Sequence, residues 1–172
     1  PTEIYTLSLH DALPIFLLIL NRLAKDYQLP VIVSTHPRTR KRLEPTVDIK
    51  MDPQIKFLKP FKFTDYVNLQ MNAVCTVSDS GTISEESAIL NFPAISLRNS
   101  MERPEAQDSG TIILTGFDTN VVMNSIDIVI RENKVNSRQF IPFDYQVQDT
   151  SWRVLKLIHG LAKLSNLWYS VK

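Results

Sequence analysis

Ala73–Arg103, AVCTVSDSGTISEESAILNFPAISLRNSMER, decides the fold. It opens on a short β-prone run, Ala73–Val77. A small polar turn follows, Asp79-Ser80-Gly81-Thr82, then a helix-like segment, Ile83–Leu90, and a second apolar run after Pro93. Strand, turn, helix, strand is the grammar of a parallel α/β unit. The turn has the chemistry of an anion cradle. Gly81 lets a backbone come close to a ligand, and Ser80 and Thr82 bring hydroxyl donors. The first N–H groups of the following helix carry its positive dipole end. Glu85 and Glu86 come at once after the turn. They read either as favourable charges at a helix start or as acceptors for sugar hydroxyls. The local expectation is a nucleotide or nucleotide-sugar site.

Working outward, 172 residues suit one α/β domain, and 44% hydrophobic residues are enough for a core. Nineteen Lys+Arg against eighteen Asp+Glu leave a net charge of +1, which points to neither a nucleic-acid partner nor a membrane surface. Cys75 is the single cysteine, so no disulfide forms within the chain, in keeping with a reducing cytoplasm. It reads as a core residue. No apolar run has the ~20 residues that a membrane span needs.

Upstream, Glu3–Ile15, EIYTLSLHDALPI, resembles the in-frame translation of a sequencing-adapter oligonucleotide. Residues 1–15 are therefore set aside as non-native. Phe16–Tyr27 reads as the remainder of a helix, and Leu29–Thr35 as a buried strand that ends at His36-Pro37-Arg38. Arg38–Leu43 reads as a short basic helix and Glu44–Gln54 as loop. A strand at Ile55–Leu58 and a helix over Asp65–Asn72, capped by Thr64, complete the approach to the central stretch.

Downstream, Arg98–Gly110 reads as irregular and Thr111–Leu114 as a strand. Asp118–Glu132 has the apolar spacing of an amphipathic helix. Asn133–Gln148 reads as loop. A last helix, Ser151–Leu164, is capped by Asp149 or Thr150. About four strands alternate with helices, half of a doubly wound protein.

Among the reactive side chains, His36 stands where a strand ends, and ligands of open α/β sheets bind there. It reads either as a loop histidine bonded to backbone or as an acid, base or cation facing a phosphate. Arg103 reads either as half of a surface ion pair or as a guanidinium clamp on a pyrophosphate. His159 reads as structural. No His/Cys cluster suggests a metal, and neither a Walker pattern nor G-x-G-x-x-G is present.

Taken together, Ser34-Thr35-His36-Pro37-Arg38-Thr39, Ser78–Glu86 and Glu102-Arg103-Pro104-Glu105 resemble the non-hydrolysing UDP-N-acetylglucosamine 2-epimerase family in order and spacing. The resemblance runs from about Leu17 to the C-terminus. It is nearest to the capsule and O-antigen branch that forms UDP-N-acetyl-L-fucosamine, through Thr35–Thr39, Phe63-Thr64-Asp65-Tyr66 and Thr150-Ser151-Trp152-Arg153. The family pattern is His-Arg-Arg-Glu where this chain has His36-Pro37-Arg38-Thr39. It is Gly-Gly-Ile-Gln-Glu-Glu where this chain has Gly81-Thr82-Ile83-Ser84-Glu85-Glu86.

The resemblance implies an α/β, Rossmann-like C-terminal half of a two-domain glycosyltransferase-B-type fold. Residues 16–148 would form the UDP-binding domain, truncated at its N-terminus, and 149–172 the helix that crosses back to the first domain. It implies C2 inversion of a UDP-linked acetamido sugar by elimination and re-addition of UDP. No cofactor is implied. His36 matches the active-site histidine. Ser80, Gly81 and Thr82 match the pyrophosphate loop, Glu86 the ribose carboxylate, Arg103 a UDP-sugar contact and Tyr66 an aromatic beside the uracil. The acid/base carboxylates of the family's first domain are not in this sequence, so the chain is expected to be inactive alone. The parent is expected to be cytoplasmic, and homodimers occur in the family. Two other readings stay open: a UDP-sugar glycosyltransferase domain, and a non-catalytic nucleotide-sugar-binding module.

Overall fold

The computed structural model describes residues 9–34, 49–101, 103–135 and 140–169. The expectations for His36, for the rest of the Thr35–Thr39 run and for a basic helix over Arg38–Leu43 lie outside the described residues.

Among the described residues there are five short strands, and every pairing among them is parallel. β1 (Val31–Ser34) pairs with β2 (Ile55–Leu58), with Val31 opposite Ile55. β3 (Thr76–Ser78), β4 (Ala94–Ser96) and β5 (Ile113–Leu114) form the second sheet in that order. Thr76 lies opposite Ala94, and Ile95 opposite Ile113. β4 is buried along its whole length, as a central parallel strand covered on both faces must be.

Successive side chains of a strand point to opposite faces, and β4 sorts the core accordingly. Ile95 and Leu97 join Ile19 and Leu23 of helix α1 (Leu9–Tyr27). Val122, Met123, Ile126 and Val129 of helix α5 (Thr119–Val135) complete that cluster. Ala94 instead joins Phe92, Ile112, Ile83 of helix α3 (Ile83–Leu90) and Ala106 of helix α4 (Pro104–Asp108). A third cluster sets Leu17, Leu20 and Ala24 of α1 on Ile55 of β2. Val31 packs against both the first and the third, so β1 belongs to the same core as β3 and β4. Helices α1 and α5 are also clasped at the surface. Arg22 Nη1 donates to Asn120 Oδ1 at 2.7 Å, and the Tyr27 hydroxyl to Asp127 Oδ1 at 2.6 Å. Burial, and then the Asp127 carboxylate, push the Tyr27 pKa strongly upward.

Several boundaries differ from the sequence reading. Helix α1 begins at Leu9, inside the segment set aside, and carries Pro14 within it. Helix α2 (Phe63–Asn72) starts before Thr64. The Tyr66 N–H bonds to the Lys62 carbonyl at 2.9 Å, so Lys62 holds the cap position and Thr64 lies in the first turn. The expected strand Ala73–Val77 begins three residues late. Ala73 is still occupied in closing α2, its N–H on the Gln70 carbonyl at 3.3 Å. The irregular Arg98–Gly110 contains α4, with Pro104 at its first turn, where the missing N–H costs nothing. Asp118 caps α5 through its carboxylate, which accepts from the N–H groups of Asn120 and Val121 at 2.9 Å. Within Asn133–Gln148, a 3-10 turn spans Phe143–Gln146. Helix α6 (Thr150–Trp168) follows Asp149, which takes a left-handed φ of 57° without a side-chain cap bond, and no residue of α6 is buried. Among the described residues no helix is long and apolar enough to cross a membrane.

Cys75 lies just before β3, packed against the first cluster, and burial pushes its thiol up to about 12. Its pKa in the unfolded chain is lower. The folded state therefore holds the proton longer, and stability falls as pH rises from about 8.5 toward 12. At pH 8, iodoacetamide is expected to label Cys75 at least tenfold more slowly in the native protein than in urea. Equal rates would show an accessible thiolate.

Candidate functional site

The turn between β3 and α3 is built by its own hydroxyls. The Ser80 N–H donates to Ser78 Oγ at 3.1 Å, and the Thr82 N–H donates to Ser80 Oγ at 3.3 Å. Ser80 Oγ and Thr82 Oγ1 share a hydrogen bond of 2.9 Å. The two hydroxyls are thus fixed side by side at the exposed start of α3. Beneath them Ile83, Ser84, Ser87 and Ala88 are buried, so the helix that carries the turn is anchored in the core. Gly81 completes the turn without a positive φ, which among the described glycines is confined to Gly110 and Gly116.

One turn into α3, the Glu86 N–H closes on the Thr82 carbonyl at 2.9 Å. Its carboxylate turns toward α2, where Gln70 Nε2 donates to Glu86 Oε2 at 2.7 Å. Tyr66 lies one turn before Gln70, on the same face of α2. Its hydroxyl is pushed above the usual tyrosine range by burial first, then by the Glu86 and Asp79 carboxylates, with a hydrogen bond to Ser78 opposing. Tyr66, Ser80, Gly81, Thr82 and Glu86 therefore gather where α2, the end of β3 and the start of α3 meet.

Arg103 stands at the edge of this group. Its Nε pairs with Glu85 Oε1 at 2.5 Å, both side chains about a third exposed. Burial raises the Glu85 carboxyl and the Arg103 guanidinium lowers it. The half-buried Tyr145 closes this side beside Glu105 and Glu85, its pKa pushed up to about 12 by burial and by those carboxylates. So Arg103 makes an ion pair, with the carboxylate beside Glu86 in sequence. Gln70 and Tyr145 were missed in the sequence. Gln70 had one signal, its place four residues after Tyr66 on a helix facing the turn. Tyr145 had none, since it lies in a stretch without period.

The arrangement offers hydroxyls and a helix N-terminus to an anion, a carboxylate one turn further to hydroxyl donors, and an aromatic ring near that carboxylate. Parallel strands, helices on both faces and a site at the strands' C-terminal ends define the class, one half of a glycosyltransferase-B-like α/β fold. The UDP-N-acetylglucosamine 2-epimerase of Rickettsia bellii superposes with a TM-score of 0.78 at 39% identity, over 92% of this chain and 44% of that one. The Methanocaldococcus jannaschii enzyme, in complex with UDP-GlcNAc and UDP, superposes with a TM-score of 0.74 at 26% identity, over 86% and 40%.

The chain belongs to the UDP-N-acetylglucosamine 2-epimerase family, whose profile matches residues 8–159. That match begins inside the segment 1–15. The UDP-N-acetylglucosamine 2-epimerase of Methanococcus maripaludis is 32% identical over 118 residues, 67% of this chain and 32% of that protein. The Yersinia pestis enzyme is 36% identical over 72 residues, 42% and 19%. The chain thus spans about a third or less of the length of these relatives.

Proposed function

We propose that this chain is the UDP-binding half of a UDP-N-acetylhexosamine 2-epimerase. The parent inverts C2 of its sugar by eliminating UDP and adding it back with the proton on the other face. The observation that carries the reading is the Ser80–Thr82 hydroxyl pair at the head of α3 with the Glu86 carboxylate one turn behind it. Pyrophosphate takes the Ser80-Gly81-Thr82 turn, the ribose hydroxyls bond to Glu86, and the uracil lies by Tyr66. Arg103, oriented by Glu85, contacts the UDP-sugar, and His36, which follows β1, serves the leaving phosphate. Such a site holds the charge of the departing UDP by fixed donors.

The Thr35–Thr39 run, Phe63–Tyr66 and Thr150–Arg153 favour the UDP-N-acetyl-L-fucosamine branch over UDP-N-acetylglucosamine itself, and with it surface-polysaccharide synthesis in the cytoplasm. The acids that move the C2 proton belong to the other half, so the chain alone binds nucleotide and does not epimerise. Helix α6, which exposes Trp152, Leu155 and Ile158, suits a segment that packs on that other half.

Calorimetric titration of the 172-residue chain tests this. Saturable UDP binding, tighter than UMP binding because the second phosphate meets the turn, is the expected result. No heat with millimolar UDP, or equal affinity for UMP and UDP, would overturn the reading.

A further inference from the structure

Gln70 is 3% exposed, at the end of α2 that faces α3. A buried primary amide is costly unless its groups are hydrogen-bonded, and a methionine or leucine would fill the same space without that cost. One end of the amide is committed. A carboxylate only accepts, so the NH2 end must be the one 2.7 Å from Glu86 Oε2. Gln70 Oε1 is buried with no hydrogen-bond partner among the described residues. The side chain is thus kept polar for one bond, and that bond holds one oxygen of Glu86. The carboxylate is fixed in place before any ligand arrives, and its second oxygen, Oε1, makes no hydrogen bond among the described residues. Fixing a long, flexible side chain in advance removes the entropy that ordering it would cost on binding.

We infer that Gln70 is a positioning residue that acts through Glu86 and makes the site discriminate ribonucleotides from deoxyribonucleotides. The inference rests on the ribose reading of Glu86 given above. A diol held by a fixed carboxylate loses one of its two bonds when the 2′-hydroxyl is removed. A carboxylate free to swing loses that advantage for the diol and changes little for the deoxy sugar.

The test is calorimetry with UDP and 2′-deoxy-UDP on the full chain and on Gln70→Met, with thermal unfolding of both. The wild type is expected to prefer UDP by about tenfold, and Gln70→Met to lose about that factor for UDP while its 2′-deoxy-UDP affinity holds. Equal loss for both nucleotides would make Gln70 merely structural, and no loss for either would remove it from the site; both outcomes overturn the inference. A wild type that binds both nucleotides equally, or neither, overturns the ribose reading itself and the inference with it. If Gln70→Met does not fold, Gln70→Asn, which keeps the amide but withdraws it from Glu86, is read by the same ratio.

Discussion

Glu86→Ala is expected to weaken UDP binding by about 30- to 100-fold, the size of losing charge-assisted hydrogen bonds to a diol. The substitution acts at two places. On the ligand side it removes the acceptor for the ribose hydroxyls. On the protein side it strands the buried Gln70 amide, whose one side-chain hydrogen bond among the described residues is to Glu86. That second effect costs about 1–3 kcal/mol of stability and is read separately, as a lower midpoint in urea. Glu86→Gln separates the two. Its carbonyl oxygen can accept from Gln70 while its NH2 meets the ribose oxygens, so stability should recover and affinity fall by about tenfold only. If Glu86→Ala binds UDP as the wild type does, the ribose is held elsewhere and the site reading loses its central residue.

The part of the fold legible in sequence was the part governed by local chemistry. Helix α3 runs from Ile83 to Leu90 as read, because a polar Ser/Gly turn starts it and Asn91 ends it in a left-handed conformation of φ 57°. Ile55–Leu58 is also as read, a short strand. Boundaries set by tertiary contact were not legible. The start of α1 was lost because Glu3–Ile15 was set aside for its resemblance to an adapter translation, yet α1 passes through Pro14 and packs Ile15 and Phe16 against the core. Thr64 has the right chemistry for a cap, but Lys62 takes the place through its backbone carbonyl.

The site divides in the same way. The Ser80-Gly81-Thr82 turn and Glu86 follow one another in the chain, and their approach is dictated by one helix start. What holds them comes from afar: Gln70 lies sixteen residues before Glu86, and Arg103 reaches Glu85 from beyond β4. Spacing in sequence carries no trace of either pairing.

That dependence of the site on its core makes the second large effect a matter of packing. Phe92→Ala is expected to destabilise the protein by about 3–5 kcal/mol, since a buried ring leaves a cavity that its neighbours fill only in part. Phe92 is 1% exposed and packs with Ile83, Ala94, Ala106 and Ile112. Its N–H also closes the end of α3 on the Ser87 carbonyl at 3.3 Å. Domains of this kind have only about 5–15 kcal/mol in hand, so the urea midpoint should fall by a large fraction with little change in slope. Phe143→Ala is the control: that ring is 77% exposed, and its loss should change stability by no more than about 0.5 kcal/mol. The consequence reaches the ligand because Ile83, the first residue of α3, lies in the same cluster directly after Thr82. A cavity beneath Ile83 loosens the start of the helix, so the surviving folded Phe92→Ala protein should also bind UDP more weakly than Phe143→Ala. Equal destabilisation by the two substitutions would mean that this cluster does not anchor α3, and the turn would need another support.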